Sequence, residues 1–81
     1  MSEPGTEQVC DVIADVFGVP REDVGPATVR EDILEWDSLG QLNLVLALEE
    51  AFDVSFGVDE LAELTSVKSI VDRVQEKCRS R

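Results

Sequence analysis

Between Asp37 and Phe52 the chain runs without a proline, and its apolar residues cover more of a helix than one buried face requires. At about 100° per residue, Leu44, Val45, Leu48, Ala51 and Phe52 form one broad face, suited to the core of a bundle. Leu39, Leu42 and Leu46 form a second stripe roughly opposite, beside Ser38, and Glu49 and Glu50 bracket it one turn further on. A chain of 81 residues has room for one small core. Either this helix is buried on two sides, or its second stripe faces a partner. An apolar stripe with an acidic border, starting at a helix N-terminus, has the character of a docking surface.

Glycine and proline divide the rest of the chain. Val9, Val12, Ile13, Val16 and Phe17 keep the i, i+3, i+4, i+7 spacing of an amphipathic helix. Thr6 is its expected N-cap, with Gly18 and Pro20 ending it. Residues 18–37 contain Pro20, Gly25 and Pro26 without a sustained period and read as a long loop across the bundle. After the break at 53–57, a short helix is expected over about Asp59–Leu64. A last helix, capped by Thr65 or Ser66, places Val67, Ile70, Val71, Val74 and Cys78 on one face. Lys77, Arg79 and Arg81 lie at its C-terminal end, where cations suit the helix dipole. No segment alternates as a strand. The expected fold is all-α: a four-helix bundle with three main helices, a short third helix and a long loop between helices 1 and 2, in a single domain over 1–81.

Charge narrows the function. Eighteen acids stand against seven bases, a net charge of −11. The segment Glu31–Val67 holds ten of the acids (Glu31, Asp32, Glu35, Asp37, Glu49, Glu50, Asp53, Asp59, Glu60 and Glu63) and no base. Such a chain cannot displace phosphate counterions, so nucleic acid is excluded as a partner, as is a polybasic membrane anchor. The segregation fits either a solvated acidic surface or a docking face for basic partners. Histidine is absent, which removes the Ser-His-Asp and Cys-His catalytic systems and every histidine-ligated metal site. No apolar run approaches the roughly 18 residues of a membrane span. Met1–Gly5 lacks the basic start and apolar stretch of a leader. Cys10 and Cys78 lie near opposite ends; reduced thiols in the cytoplasm are expected, with a single bridge as the alternative should the end helices run antiparallel.

Ser38 has two readings. In the first, Ser38-Leu39-Gly40-Gln41 is a capping box and the serine merely closes the helix. In the second, Asp37 caps, and Ser38 is the first helical residue with its hydroxyl exposed. A phosphate ester there would face free backbone N–H groups at the positive end of the dipole. Other chemistries fail on the residues. A nucleophile elbow would need Gly at Trp36, no His or nearby Lys serves as base, and an EF-hand from Asp53 lacks Gly at Val58 and Glu at Leu64. No catalytic residue and no metal site is expected.

The run Leu34-Glu35-Trp36-Asp37-Ser38-Leu39, continuing through Leu42-Asn43-Leu44-Val45-Leu46-Ala47-Leu48-Glu49-Glu50-Ala51-Phe52, resembles the carrier motif of acyl carrier proteins. The likeness extends over nearly the whole chain, from the opening helix and long loop to the Thr65-Ser66-Val67 start of the last helix. It implies that a phosphopantetheinyl transferase uses coenzyme A to attach 4′-phosphopantetheine to Ser38, and that the arm holds acyl groups as thioesters. It also implies docking of acyl-loading and acyl-processing enzymes, through basic patches, at Asp37, Leu39, Leu42, Leu46, Glu49 and Glu50. A monomer without enzymatic activity is expected. Gly40 and Asn43 stand where carriers of fatty-acid synthesis often have acids, and Glu35-Trp36 replaces a small glycine-containing pair. These differences point to a stand-alone carrier of a specialised polyketide or related pathway. Gly40 is expected to admit close approach by a partner or the arm. The alternatives are a peptidyl or aminoacyl carrier and, from another class, an acidic helical adaptor with no covalent cofactor.

Overall fold

The computed structural model describes residues 5–80; the leader expectation for Met1–Pro4 and the placement of Arg81 lie outside them. Four helices follow in order: α1 Thr6–Phe17, α2 Ser38–Phe52, α3 Val58–Leu61 and α4 Val67–Ser80. Single 3-10 turns at Arg21–Asp23 and Arg30–Asp32 punctuate the long loop. The architecture is the expected all-α one, three main helices and a short one. The sole β-type pairing among the described residues is an isolated bridge between Val29 and Ser66. It fastens the loop to the start of α4, with Arg30 N–H donating to Thr65 O at 2.8 Å and Val67 N–H to Thr28 O at 2.9 Å.

The helix ends obey local chemistry, with some shifts from expectation. Gly5, not Thr6, caps α1: its carbonyl accepts from Val9 N–H, and Gln8 Oε1 accepts from its amide at 2.8 Å. Gly18 and Asp53 end α1 and α2 in the left-handed region, with φ of 65° and 55°. Ser66 caps α4, its Oγ accepting from Ser69 N–H at 3.1 Å. The third helix starts one residue earlier and stops sooner than expected. Glu60 reaches back to the Gly57 amide at 2.8 Å to start it. Beyond Leu61 the chain tightens into i→i+3 turns, Glu63 N–H to Glu60 O and Leu64 N–H to Leu61 O.

The core lies where α1, α2 and α4 meet. Val9, Ile13, Leu44, Leu48, Val67, Ile70 and Val74 are buried there, joined by Val24, Ile33, Trp36 and Leu64 from the connections. Of the broad α2 face, Leu44, Val45 and Leu48 are buried and Phe52 is half-buried. Ala51, expected on that face, is exposed, because it borders an open groove between α1 and α2 beside Val12 and Val16. Cys10 is buried and Cys78 half-buried, both as free thiols; burial pushes the Cys10 thiol pKa up.

Two of the ten clustered acids are neutralised by the fold. Arg73 on α4 pairs with Glu63 and Glu60, and Lys77 pairs with Glu60 at 2.9 Å while lying 5.1 Å from the centre of the Phe56 ring. Lys77 thus ties α4 to α3 as well as standing in the last turn of its own helix. The Gly57 amide, then Lys77, hold the Glu60 carboxyl below its usual range. A lowered folded pKa supplies stability above the ordinary carboxylate pKa and loses it as pH falls through the folded value. Between about pH 6 and about pH 3, Glu60→Gln should therefore melt below the native protein at the neutral end and lose less on acidification. Thermal melts across that range measure both.

Gly40 sits in the first turn of α2 and is buried. A Cβ there would fall well inside contact distance of the Glu35 carbonyl oxygen and 2.8 Å from a Phe17 ring carbon. The close approach that Gly40 admits is therefore that of its own loop and α1, not of a partner or arm. Helix propensity alone favours Ala over Gly by about 1 kcal/mol. Gly40→Ala should instead destabilise by about 1–3 kcal/mol, as overpacking does, and chemical denaturation reads the sign directly.

Candidate functional site

The long loop delivers the chain to α2 through Trp36 and Asp37. Asp37 takes the cap: its Oδ1 accepts from Gly40 N–H at 2.8 Å, and its carbonyl accepts from Gln41 N–H at 2.8 Å. Ser38 is the first helical residue, exposed to solvent. The capping box of Ser38 with Gln41 does not form, because the Asp37 carbonyl accepts from the Gln41 amide and the Gln41 side chain turns into the core. No hydrogen bond engages the Ser38 hydroxyl among the described residues. It stands free at the positive end of a 15-residue helix, beside backbone N–H groups that no carbonyl satisfies.

An open groove of about 290 Å³ runs beside this turn, between α1 and α2, bordered by Phe17, Glu35, Leu39 and Asn43. Ser38 itself is exposed, so a bulky ester on it would extend into solvent, and its phosphate would lie at the helix N-terminus. The residues fit a covalent phosphate-linked group. No histidine exists to activate the serine, and Arg30 is turned to the Trp36 carbonyl at 2.9 Å. No cluster of metal-ligating side chains occurs among the described residues, and none of their helices is long and apolar enough to cross a membrane.

The second stripe of α2 lies outside the core. Leu39, Leu42 and Leu46 are 68%, 52% and 64% exposed, and Leu34 just ahead of the turn is 92% exposed. Glu50 is exposed beside them. Glu49 differs from its neighbour: it is half-buried, and its Oε2 accepts from the Phe56 amide at 2.9 Å. That carboxylate holds the α2–α3 connection. The fold therefore brings Asp37, Ser38 and the three leucines onto one surface, with Glu50 at its edge and Glu49 turned to its own loop.

Three residues of this region escaped the sequence reading. Trp36 is buried against Phe17, ring centroids 5.5 Å apart. Gln41 is buried and hydrogen-bonded to Trp36 Nε1 and to the carbonyls of Leu61 and Leu64. Arg30 holds the Trp36 carbonyl. Gln41 carried a legible signal, a polar residue in the same helical sector as Leu44 and Leu48. Arg30 carried none, since its partner lies in an aperiodic loop.

Comparison with known proteins agrees with this geometry. Residues 7–74 match the family model described as phosphopantetheine attachment site. The fold is similar to the solution NMR structure of holo acyl carrier protein from Geobacter metallireducens, with a TM-score of 0.83 and 28% sequence identity over 95% of this chain and 88% of that one. The exposed serine hydroxyl and the matched family agree in one respect, that this protein bears a covalent group. The chain belongs to the phosphopantetheine-attachment family as an acyl carrier protein, a carrier rather than an enzyme, with covalent 4′-phosphopantetheine as its cofactor.

Proposed function

We propose that Ser38 is the attachment residue and that the loaded protein shuttles acyl thioesters between enzymes of a specialised polyketide or related pathway. The observation that carries the assignment is the division of labour at the head of α2: Asp37 caps, so the Ser38 hydroxyl is left exposed and unbonded. In loading, Ser38 Oγ forms a bond to the β-phosphorus of coenzyme A, the pyrophosphate bond breaks, and 3′,5′-ADP leaves. The serine proton passes to a base of the transferase. The product phosphodiester is anionic, and the helix N-terminus stabilises it through unpaired amides and the dipole. The thiol ending the arm then holds the acyl group as a thioester, and tethering raises its effective concentration for every enzyme that docks.

Asp37, Leu39, Leu42 and Leu46, with Glu50 at the rim, form the docking surface in this reading; Glu49 contributes by fixing the adjoining loop. Asn43, exposed and uncharged, and the Glu35-Trp36 pair support a pathway other than housekeeping fatty-acid synthesis. The shared core of the described helices supports one carrier domain over 1–81. The free thiols support a reducing cytoplasm, and we take the carrier to act as a monomer.

Incubation with coenzyme A and a broad-specificity phosphopantetheinyl transferase, followed by mass spectrometry, tests the assignment. The native protein should gain one phosphopantetheine and Ser38→Ala none; a gain that survives Ser38→Ala places the arm elsewhere. Docking has its own test. Association with the transferase should slow as ionic strength rises, because at about 0.15 M salt screening already confines exposed charges to roughly 8 Å. Glu50→Lys should slow it further, and Leu42→Ala should stay folded while loading poorly. Rates indifferent to both salt and Glu50→Lys would remove electrostatic steering from the account.

A further inference from the structure

We propose that Gln41 is a positioning residue for loading: through Trp36 and the end of α3 it holds the Asp37–Ser38 turn in the geometry a partner reads. The proposal rests on Ser38 being the attachment residue. Its basis is one buried amide whose oxygen and both N–H groups are all hydrogen-bonded. Gln41 lies one helical turn after Ser38, with its side chain in the core sector of α2 and 8% of the residue exposed. A primary amide has one acceptor oxygen and two N–H donors. Here Oε1 accepts from Trp36 Nε1, and Nε2 donates to Leu61 O at 2.8 Å and Leu64 O at 3.1 Å.

As mere filler, glutamine is a poor choice for this position. Methionine or leucine would occupy similar volume without an amide to desolvate. What glutamine adds is connection among three segments. The first is the loop before the serine. Trp36, two residues ahead of Ser38, is fixed by Gln41 at its ring N–H, by Phe17 at its ring face, and by Arg30 Nε at its carbonyl. With Trp36 held, Asp37 is set to cap Gly40 and to present Ser38 outward. The second segment is α2 itself. The third is the end of α3 and the turn after it, where Leu64 N–H already donates to Leu61 O; Gln41 Nε2 adds a second donor to Leu61 O and one to Leu64 O. The serine turn and α3 are thereby bound into one unit.

Preorganisation of this kind has a distinct kinetic signature. If the productive turn is populated only in a fraction of molecules, the apparent affinity of a partner falls by that fraction. The bound complex still reacts as before. Loss of the Gln41 contacts should therefore raise KM for the carrier and leave kcat unchanged.

The test compares Gln41→Met, which removes the hydrogen bonds at similar volume, with Val74→Ala, which destabilises a fully buried site on α4 distant in sequence from the turn. Loading kinetics are measured with coenzyme A and transferase, alongside fluorescence of the lone tryptophan, Trp36, and amide exchange over residues 36–40. Gln41→Met should raise KM about tenfold, as a tenfold drop in the competent fraction requires, with kcat within about twofold, altered Trp36 emission and faster exchange. Val74→Ala should lower the melting temperature with KM and exchange at 36–40 near native values. Trp36→Phe, which keeps an aromatic ring beside Phe17 but removes the indole N–H together with the fused ring and the fluorophore, should raise KM in the same way and speed exchange at 36–40, and the double variant should show little added effect. It replaces Gln41→Met in the comparison should that variant not fold. A KM rise in Val74→Ala equal to that in Gln41→Met, or a native KM in Gln41→Met, overturns the proposal. Loading of the native protein at a residue other than Ser38 would instead sink the attachment reading, while amide exchange would still decide whether Gln41 holds the turn.

Discussion

Everything in this fold depends on how α2 is shared between the core and the solvent. In so short a chain, the apolar volume available from α1 and α4 covers about one face of a neighbouring helix. Leu44, Val45 and Leu48 take that face. Leu39, Leu42 and Leu46 then lie largely outside that face, more than half exposed. The exposure of this stripe is thus a consequence of core size as much as of leucine placement. The same limit explains why the loop between α1 and α2 contributes Val24, Ile33 and Trp36 to the interior. A core this small recruits its connections.

Recruiting the loop fixes the chemistry at its end. Trp36 is anchored on Phe17 and Arg30, Gly40 leaves room for the Glu35 carbonyl and the Phe17 ring, and Asp37 arrives where its carboxylate meets the Gly40 amide. A capping aspartate at this point satisfies an orphan donor that the serine would otherwise serve. The serine hydroxyl is left exposed, as the proposed attachment requires. An attachment residue needs no catalytic apparatus of its own, only exposure, fixed orientation and an environment that tolerates a phosphodiester. The N-terminus of a long helix provides the last of these even in a strongly acidic protein, because the unpaired amides are local and the remaining acids are solvated.

The acids themselves are divided by the tertiary structure. Those of α3, Glu60 and Glu63, meet Arg73 and Lys77 from α4 and become structural. Glu49 closes the α2–α3 loop. Glu50, close in sequence to these, stays exposed beside the leucines. Surface ion pairs of this kind contribute little individually, but they decide which carboxylates are left exposed. The field near Ser38 is what remains after the fold has used the rest.

The sequence by itself determined the helices, their order, and the two apolar faces of α2, because helical periodicity and Gly/Pro punctuation are local properties of the chain. It also determined the acidic balance, the lack of histidine, and the resemblance carried by Asp37-Ser38-Leu39 and the leucines after it. Only the tertiary structure decided between Ser38 as cap and Ser38 as free hydroxyl, since Asp37 and Ser38 have nearly equal local claim to the Gly40 amide and the path of the loop breaks the tie. It alone assigned Gln41 to the core, Glu49 to a loop amide and Gly40 to an internal contact. Each of those roles depends on a partner distant in sequence or on an aperiodic segment: Leu61 and Leu64, Phe56, and Phe17 with Glu35. Periodicity places residues on a face; what stands opposite that face is fixed only when the segments close on one another.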